Sequence, residues 1–192
     1  MDRREKLIRA ARQLLHERGY EATSPRAIQE KAGAGQGSFY HHFPGKKALA
    51  LAVLEQVREE LTQAANSQFD RPERPLQRVL CFLEQEREGL RGCRLGRLAQ
   101  EASVLEDRDL RRCVAGYFED LEQMLGAALD EAVAASEIPP LDTAALARTL
   151  AATVQGGYVL ARAGGDEREL TRATGGLATL LRALGRDRGA RR

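Results

Sequence analysis

Residues 23–49 read TSPRAIQEKAGAGQGSFYHHFPGKKAL. Ser24 is a natural N-cap, and Pro25 falls at the first helical position, where its missing N–H costs nothing. Gly33 stops that helix. Gln36 to Phe43 forms a second, short helix, bounded by Gly35 on one side and Pro44-Gly45 on the other. Two helices joined by a turn of about three to four residues make a helix-turn-helix unit. The second helix is the unusual one. It carries Gln36, Ser38, Tyr40, His41 and His42, all hydrogen-bonding types, while Phe39 and Phe43 recur at i, i+4. That spacing puts both rings on one face and anchors the helix to a core. The polar side then faces outward, toward a partner or toward solvent alone.

Outward from this stretch the periodicity stays helical. Upstream, Leu7, Ile8, Ala11, Leu14 and Leu15 share one face, and Gly19 follows as a stop. Downstream, a long helix over 46–69 carries Ala48, Leu49, Ala52, Val53, Val57 and Leu61 on its apolar side. Asp70 to Pro75 reads as a linker. Further helices are expected over 76–88, 95–103, 109–135, 142–163 and 167–184. The one over 109–135 has the clearest amphipathic register, in Leu110, Val114, Phe118, Leu121, Leu125 and Leu129. Residues 185–192 read as a basic, frayed tail. No strand alternation and no fixed repeat occur. The expected fold is all-α with about nine helices: a small N-terminal domain over 1–47 and a larger helical domain over 48–192, joined through the helix that starts near Lys46.

The chain has 192 residues, 43% hydrophobic and 30% charged, which excludes intrinsic disorder and allows a real core. Aromatics are 5% and Trp is absent, so the core must be built mainly from aliphatic side chains. Three Cys without Cys-x-x-Cys spacing supply neither a disulfide framework nor a zinc knuckle, and they suit a reducing compartment. No apolar signal core follows Met1-Asp2-Arg3-Arg4-Glu5-Lys6. The longest apolar run, Ala48 to Leu54, is too short to cross a bilayer. A soluble cytoplasmic protein with no membrane partner is therefore expected. The net charge of +2 conceals an asymmetry. Residues 1–47 hold ten basic and five acidic residues, and all four Lys; the remaining 145 residues carry 20 basic and 23 acidic. That pattern fits a nucleic-acid-facing head on a near-neutral body, or chance variation on solvated helix faces.

The 23–49 stretch resembles the DNA-binding region of the TetR family of bacterial transcriptional regulators. Gly19-Tyr20, Thr23-Ser24, the Ala32-Gly33 turn, Phe39-Tyr40-His41-His42-Phe43, and Lys46 with Leu49 match its pattern. The resemblance implies a three-helix DNA-binding domain whose recognition helix starts at Gln36. Gln36 would then contact a base edge, adenine for choice. Gly37 would allow close backbone approach, and Ser38 would bond a base or a phosphate. Tyr40 and His42 would contact phosphates, and His41 the backbone or a thymine methyl. Lys46 would meet a phosphate at the start of the next helix. Arg26 would reach a guanine or a phosphate. Lys47 reads as a solvated surface charge. His41 and His42 do not suit a metal pair, because helix neighbours point about 100° apart. Ala34-Gly35 stands where the family usually has a larger aliphatic and a Ser, and Gln36 where a basic residue is common.

For the C-terminal part the resemblance implies a ligand-binding and dimerisation domain, with the last two helices of each subunit forming a four-helix interface. Gly156-Gly157 and Gly175-Gly176 sit inside those two helices. Each interior Gly costs about 1 kcal/mol relative to Ala, so a close helix approach is expected to compensate. Kinks are the alternative. Phe82, Leu98, Phe118, Met124 and Tyr158 are candidates to line an inducer pocket, or are ordinary core. Gly92 to Leu98 resembles a Gly-Cys-containing element of one branch of the family. Cys93 is either a sensor thiol activated by Arg91 and Arg94, or an inert buried one. Cys81 and Cys113 fall at core positions. No phosphate loop, metal cluster or nucleophile–base pair suggests an enzyme, a cofactor or a metal. The expected protein is a homodimeric repressor of double-stranded operator DNA, released by a small-molecule inducer. An activator or a less specific DNA binder on the same scaffold is the alternative.

Overall fold

The computed structural model describes residues 2–186. From residue 187 onward the basic tail lies outside the described residues. Among the described residues there are nine α-helices, one short 3-10 turn and no strand. They are α1 (Arg3–Arg18), α2 (Pro25–Ala32), α3 (Gln36–His42), α4 (Lys46–Phe69), α5 (Pro75–Glu84), α6 (Ala102–Glu106), α7 (Arg108–Ala134), α8 (Thr143–Gly164) and α9 (Arg168–Arg186). None is long and apolar enough to cross a membrane.

The chain divides into two compact units. The first takes the chain up to Glu60 together with Arg94–Tyr117; the second takes Leu61–Cys93 and the chain from Phe118 onward. Both α4 and α7 run through a boundary. In the first unit α1, α2 and α3 pack on one another. Leu7, Ala11, Ile28, Phe39, Leu49, Leu95, Leu98, Val104 and Leu110 are sealed in its core. In the second, α9 packs on α5 and α8 around Val79, Leu83, Leu125, Leu150, Ala161 and Leu181. The α7 register holds at five of its six positions; Phe118 is half-exposed.

Two expected helices differ from those observed. The helix expected over 95–103 is instead a turn, the 3-10 segment Leu98–Gln100 and the separate α6. The break is at Glu101, whose backbone is extended at φ −99°, ψ 124°. The helix expected to reach residue 88 stops at Glu84. Its open carbonyls are taken by the Arg87 guanidinium, which donates to Phe82 O, Leu83 O and Gln85 O. Such capping closes a helix end without a glycine. Cys81, expected in the core, is half-buried and accepts from the Gln77 amide at 3.3 Å. Cys113 is buried, and burial pushes its thiol above the usual range.

Other ends follow their local chemistry. Asp142 accepts from Ala145 N–H at 2.9 Å and starts α8, while Gly165 ends it at φ +66°. Asp107 accepts from Asp109 N–H and Leu110 N–H and starts α7. Asp166 accepts from Arg168 N–H at 3.0 Å, and the Arg168 guanidinium beside it holds its carboxyl down to about 2.

The start of α5 is capped from a distance. Arg74 supplies no side-chain cap. Instead Glu137, 7% exposed, accepts from Leu76 N–H at 2.8 Å and from Arg74 Nε at 2.9 Å. Hydrogen bonds to a buried charged acceptor are worth about 1.5–3 kcal/mol. Glu137→Ala therefore lowers unfolding free energy in urea by about 2 kcal/mol, and the Leu76 amide exchanges faster.

Candidate nucleic-acid interface

The interface is built on a short turn between two capped helices. Ser24 Oγ accepts from Ala27 N–H at 3.1 Å and Pro25 stands in the first turn of α2. At the other end Gly33 adopts the left-handed conformation, φ +61°, which a residue with a Cβ rarely does. Its N–H meets Gln29 O and Glu30 O, and Ala34 N–H reaches Gln29 O at 3.0 Å. The chain then turns through Gly33-Ala34-Gly35 into α3. Gly35 gives α3 no side-chain cap.

Within α3 the faces separate by register. Phe39 is fully buried and Phe43 nearly so, with ring centroids 6.5 Å apart. Arg4 lies over the Phe43 ring at 5.4 Å. Gln36, Gly37, Tyr40 and His41 are exposed. Tyr40 keeps 49% of its surface open and sets its ring edge-on to Phe39. A Cβ at Gly37 would meet nothing within 4 Å, so its backbone is open to approach. Ser38 and His42 are half-buried, and Ser38 Oγ is shielded from solvent without a hydrogen-bond partner. The His41 and His42 rings meet edge-on at 5.0 Å.

The basic residues around this surface are held in different ways. Arg26 is highly exposed and pairs with Glu30 at 2.8 Å; that hydrogen bond raises the guanidinium's pKa further. Lys46 donates to Tyr20 O at 3.1 Å and stands 4.1 Å above the Tyr20 ring. Lys47, expected to be a solvated surface charge, bridges Asp107 and Asp109 at 2.8 Å each. Both carboxyls are held below their usual range by its ammonium. Arg91 and Arg94 face Glu88 and Glu60, while Cys93 is buried. Of the candidate pocket residues, Leu98 is buried in the first unit; Phe82, Phe118, Met124 and Tyr158 belong to the second. Phe82 is buried there against Phe69 at 5.6 Å, and Phe118, Met124 and Tyr158 are half-buried.

A group of residues that sequence reasoning missed holds the loop between α1 and α2. Arg97 Nη1 donates to His16 O at 2.7 Å and Glu17 O at 2.8 Å, closing the end of α1. Glu101 accepts from Tyr20 N–H at 3.0 Å and Glu21 N–H at 2.7 Å. In return Glu21 accepts from Ser103 N–H at 3.1 Å, which lowers its carboxyl pKa. Gly19, at φ +86°, leaves the space that the Glu101 carboxylate fills; a Cβ there would collide with it. Inside the loop Thr23 Oγ1 donates to Gly19 O at 2.6 Å. The partners lie about 80 residues apart, so no local pattern announces them.

Residues 7–53 match a family model described as bacterial regulatory proteins, tetR family. Residues 70–177 match one described as the tetracyclin repressor-like C-terminal domain. Transcriptional regulator AcuR of Cereibacter sphaeroides is 32% identical over 139 residues, 69% of this chain and 63% of that protein. An uncharacterized HTH-type transcriptional regulator in the lacX 3' region of Lactococcus lactis is 31% identical over 129 residues, 64% of this chain and 65% of its own length. The chain thus spans less than two thirds of the length of either relative. The crystal structure of regulatory protein TetR from Rhodobacter sphaeroides superposes with a TM-score of 0.81 at 29% identity, covering 91% of this chain and 96% of that one.

Removing the carboxylate that fixes the α1–α2 loop tests its importance. Glu101→Ala leaves Tyr20 N–H and Glu21 N–H without that acceptor, so their exchange with deuterium accelerates. The head loses about 2 kcal/mol against urea, the scale of hydrogen bonds to a charged group.

Proposed function

The chain belongs to the TetR family of bacterial regulatory proteins, and from that premise we propose that it is a sequence-specific DNA-binding transcriptional regulator. Residues 1–47 form its DNA-binding domain and residues 48–192 its ligand-binding and dimerisation domain. One observation carries the DNA reading: α3 buries Phe39 and Phe43 while leaving Gln36, Gly37, Tyr40 and His41 exposed just after a three-residue turn. A recognition helix contacts base edges mainly through its N-terminal residues. Gln36 there offers the two-point contact that suits adenine. Tyr40, Arg26, Lys46 and His42 serve the phosphates, with His41 completing the surface; the shielded Ser38 hydroxyl reaches a base or a phosphate only if the helix shifts.

A homodimer through α8 and α9 supplies the second head. Of the exposed large apolar side chains, Val159, Leu160, Leu180 and Leu184 lie on these two helices. Exposed Ala152, Gly156 and Ala163 extend the stripe on α8, and Gly176 extends it on α9. The spacing i, i+4, i+7, i+8, i+11 makes one continuous face. Contiguous apolar surface of this kind marks an interaction site. Two heads so joined read successive major grooves about 34–36 Å apart.

The mode of action is repression relieved by a small-molecule inducer bound in the second unit, with Phe82, Phe118, Met124 and Tyr158 as candidate lining. The inducer acts by binding more tightly to the conformation that cannot span both half-sites. The site of action is the cytoplasm, where the chromosome is.

The test is a gel shift with the DNA upstream of the protein's own gene, repeated at several salt concentrations. Tyr40→Ala and Lys46→Ala weaken binding to every sequence. Gln36→Ala instead relaxes preference at one base pair, by about 1–3 kcal/mol. Full-strength binding by a folded Tyr40→Ala/Lys46→Ala protein refutes the docking. Separately, Gly156→Leu lowers the dimer fraction in sedimentation while leaving helix content intact; an unchanged sedimentation profile refutes the interface.

A further inference from the structure

Lys6, Arg9 and Lys31 share a recess between α1 and α2, apart from the residues of α3. The recess holds about 590 Å³ and is lined by these three cations with Ala10, Gln13 and Ala32. Lys6, Arg9 and Gln13 fall on one face of α1 by helical spacing. Lys31 comes from the last turn of α2. All three cations are exposed, and none makes an ion pair among the described residues. Among the described residues no carboxylate lines the recess. Of the acids nearby, Glu30 pairs with Arg26, Glu17 accepts from the Gln13 amide at the rim at 2.7 Å, and Glu5 precedes Lys6 on α1.

Three like charges around one hollow repel each other, and a hollow lined by one sign of charge focuses its field on counter-ions. The hollow therefore suits an anion with several oxygens. Its place in the chain says which. Lys31 is five residues from Gln36, so their Cα atoms lie at most about 18 Å apart. The major groove is about 12 Å wide and is flanked by both sugar-phosphate backbones. A duplex that places a base edge at Gln36 thus carries its backbones at a distance from Gln36 comparable with that of Lys31.

We propose that Lys6, Arg9 and Lys31 form a second phosphate-binding site, which holds the DNA backbone beside the groove that α3 enters. The site rests on the DNA-binding function proposed above. It positions the head and carries no sequence information, since backbone contacts fix register and orientation only.

The experiment needs no known operator, because phosphate contacts supply non-specific affinity. The full chain is titrated onto a labelled duplex of about 30 base pairs from about 50 to about 200 mM salt, with fluorescence anisotropy as the readout. Each phosphate contact contributes about 0.9 to the slope of log K against log salt. Lys6→Gln/Arg9→Gln/Lys31→Gln is expected to lose about 2 to 3 of that slope and to weaken binding to unrelated sequences by about the same factor, at unchanged helix content. Each single variant loses about 0.9, which keeps the test valid if the triple variant misfolds. Lys6→Arg/Lys31→Arg keeps the slope.

Unchanged slopes in the Gln variants, with Tyr40→Ala weakening the same duplex, overturn this site alone. A wild-type protein that binds no duplex overturns the DNA reading and this site together. Inorganic pyrophosphate is the second probe. If it binds the wild type and not the triple variant while the DNA slopes stay equal, the recess serves free phosphate compounds, and the proposal falls.

Discussion

A helix of seven residues cannot sustain itself in water, where isolated helices shorter than about 12–15 residues are marginal. Helix α3 has seven residues and no side-chain cap. It therefore exists because Phe39 and Phe43 fix it to the core. Full burial of a Phe side chain contributes about 1.5–3 kcal/mol, enough for one ring to offset a missing cap of about 1 kcal/mol. Because the aromatic face must point inward, the positions opposite it are left to solvent, while Ser38 and His42 at its margins stay half-buried. The exposure of Gln36, Gly37, Tyr40 and His41 is thus a consequence of packing. In a chain with 5% aromatics and no Trp, two of five Phe stand in or next to this one helix.

The local part of this architecture is legible in the sequence because each signal lies next to what it controls. Ser24-Pro25 starts α2, Gly33 ends it, and Phe39 with Phe43 orients α3 within a span of 20 residues. The expected bounds of α2 and α3 agree with those observed to within a residue. Leu7, Ile8, Ala11, Leu14 and Leu15 are all buried, as their spacing requires. Long-range chemistry is not legible in the same way. Glu101 and Arg97 look like ordinary helix-surface residues in a segment whose composition favours a helix. Their hydrogen-bond partners at Tyr20, Glu21, His16 and Glu17 lie some 80 positions upstream. Satisfying those groups outweighs the helix propensity of 95–103, and the segment breaks. Arg87 and Glu137 follow the same logic at the two ends of α5: side chains from outside the helix complete hydrogen bonds that composition assigns to nobody.

Charge shows a similar limit. The sequence separates a basic head from a slightly acidic body, but it does not say which cations are committed. Lys46 is tied to the Tyr20 carbonyl and ring, Lys47 to Asp107 and Asp109, Arg26 to Glu30, and Arg12 to Glu60. Exposed pairs of this kind contribute little stability. What they change is availability. A paired cation must give up its partner before it can meet a phosphate, whereas Lys6, Arg9 and Lys31 make no ion pair among the described residues. Net charge alone therefore overstates some positions of the head and understates others.

The adjacent glycines of α8 make the last distinction. Gly156 and Gly157 look alike in the sequence, and one cause, close helix approach, accounts for both there. Neighbouring positions on a helix point about 100° apart, so they cannot share a surface. Gly157 is buried; a Cβ on it would meet Leu170 of α9, with the backbone Cα at 3.2 Å. It is needed for α8 and α9 to pack within one chain. Gly156 faces open space, as do Gly175 and Gly176. A helix-interior glycine with nothing against it costs about 1 kcal/mol with no return inside the monomer. Placed between Ala152 and Val159-Leu160 on an exposed apolar stripe, it makes sense as a flat spot for a second helix to lie against. Helix α8 is thus constrained on two faces, one by its own chain and the other by the copy of itself proposed as its partner.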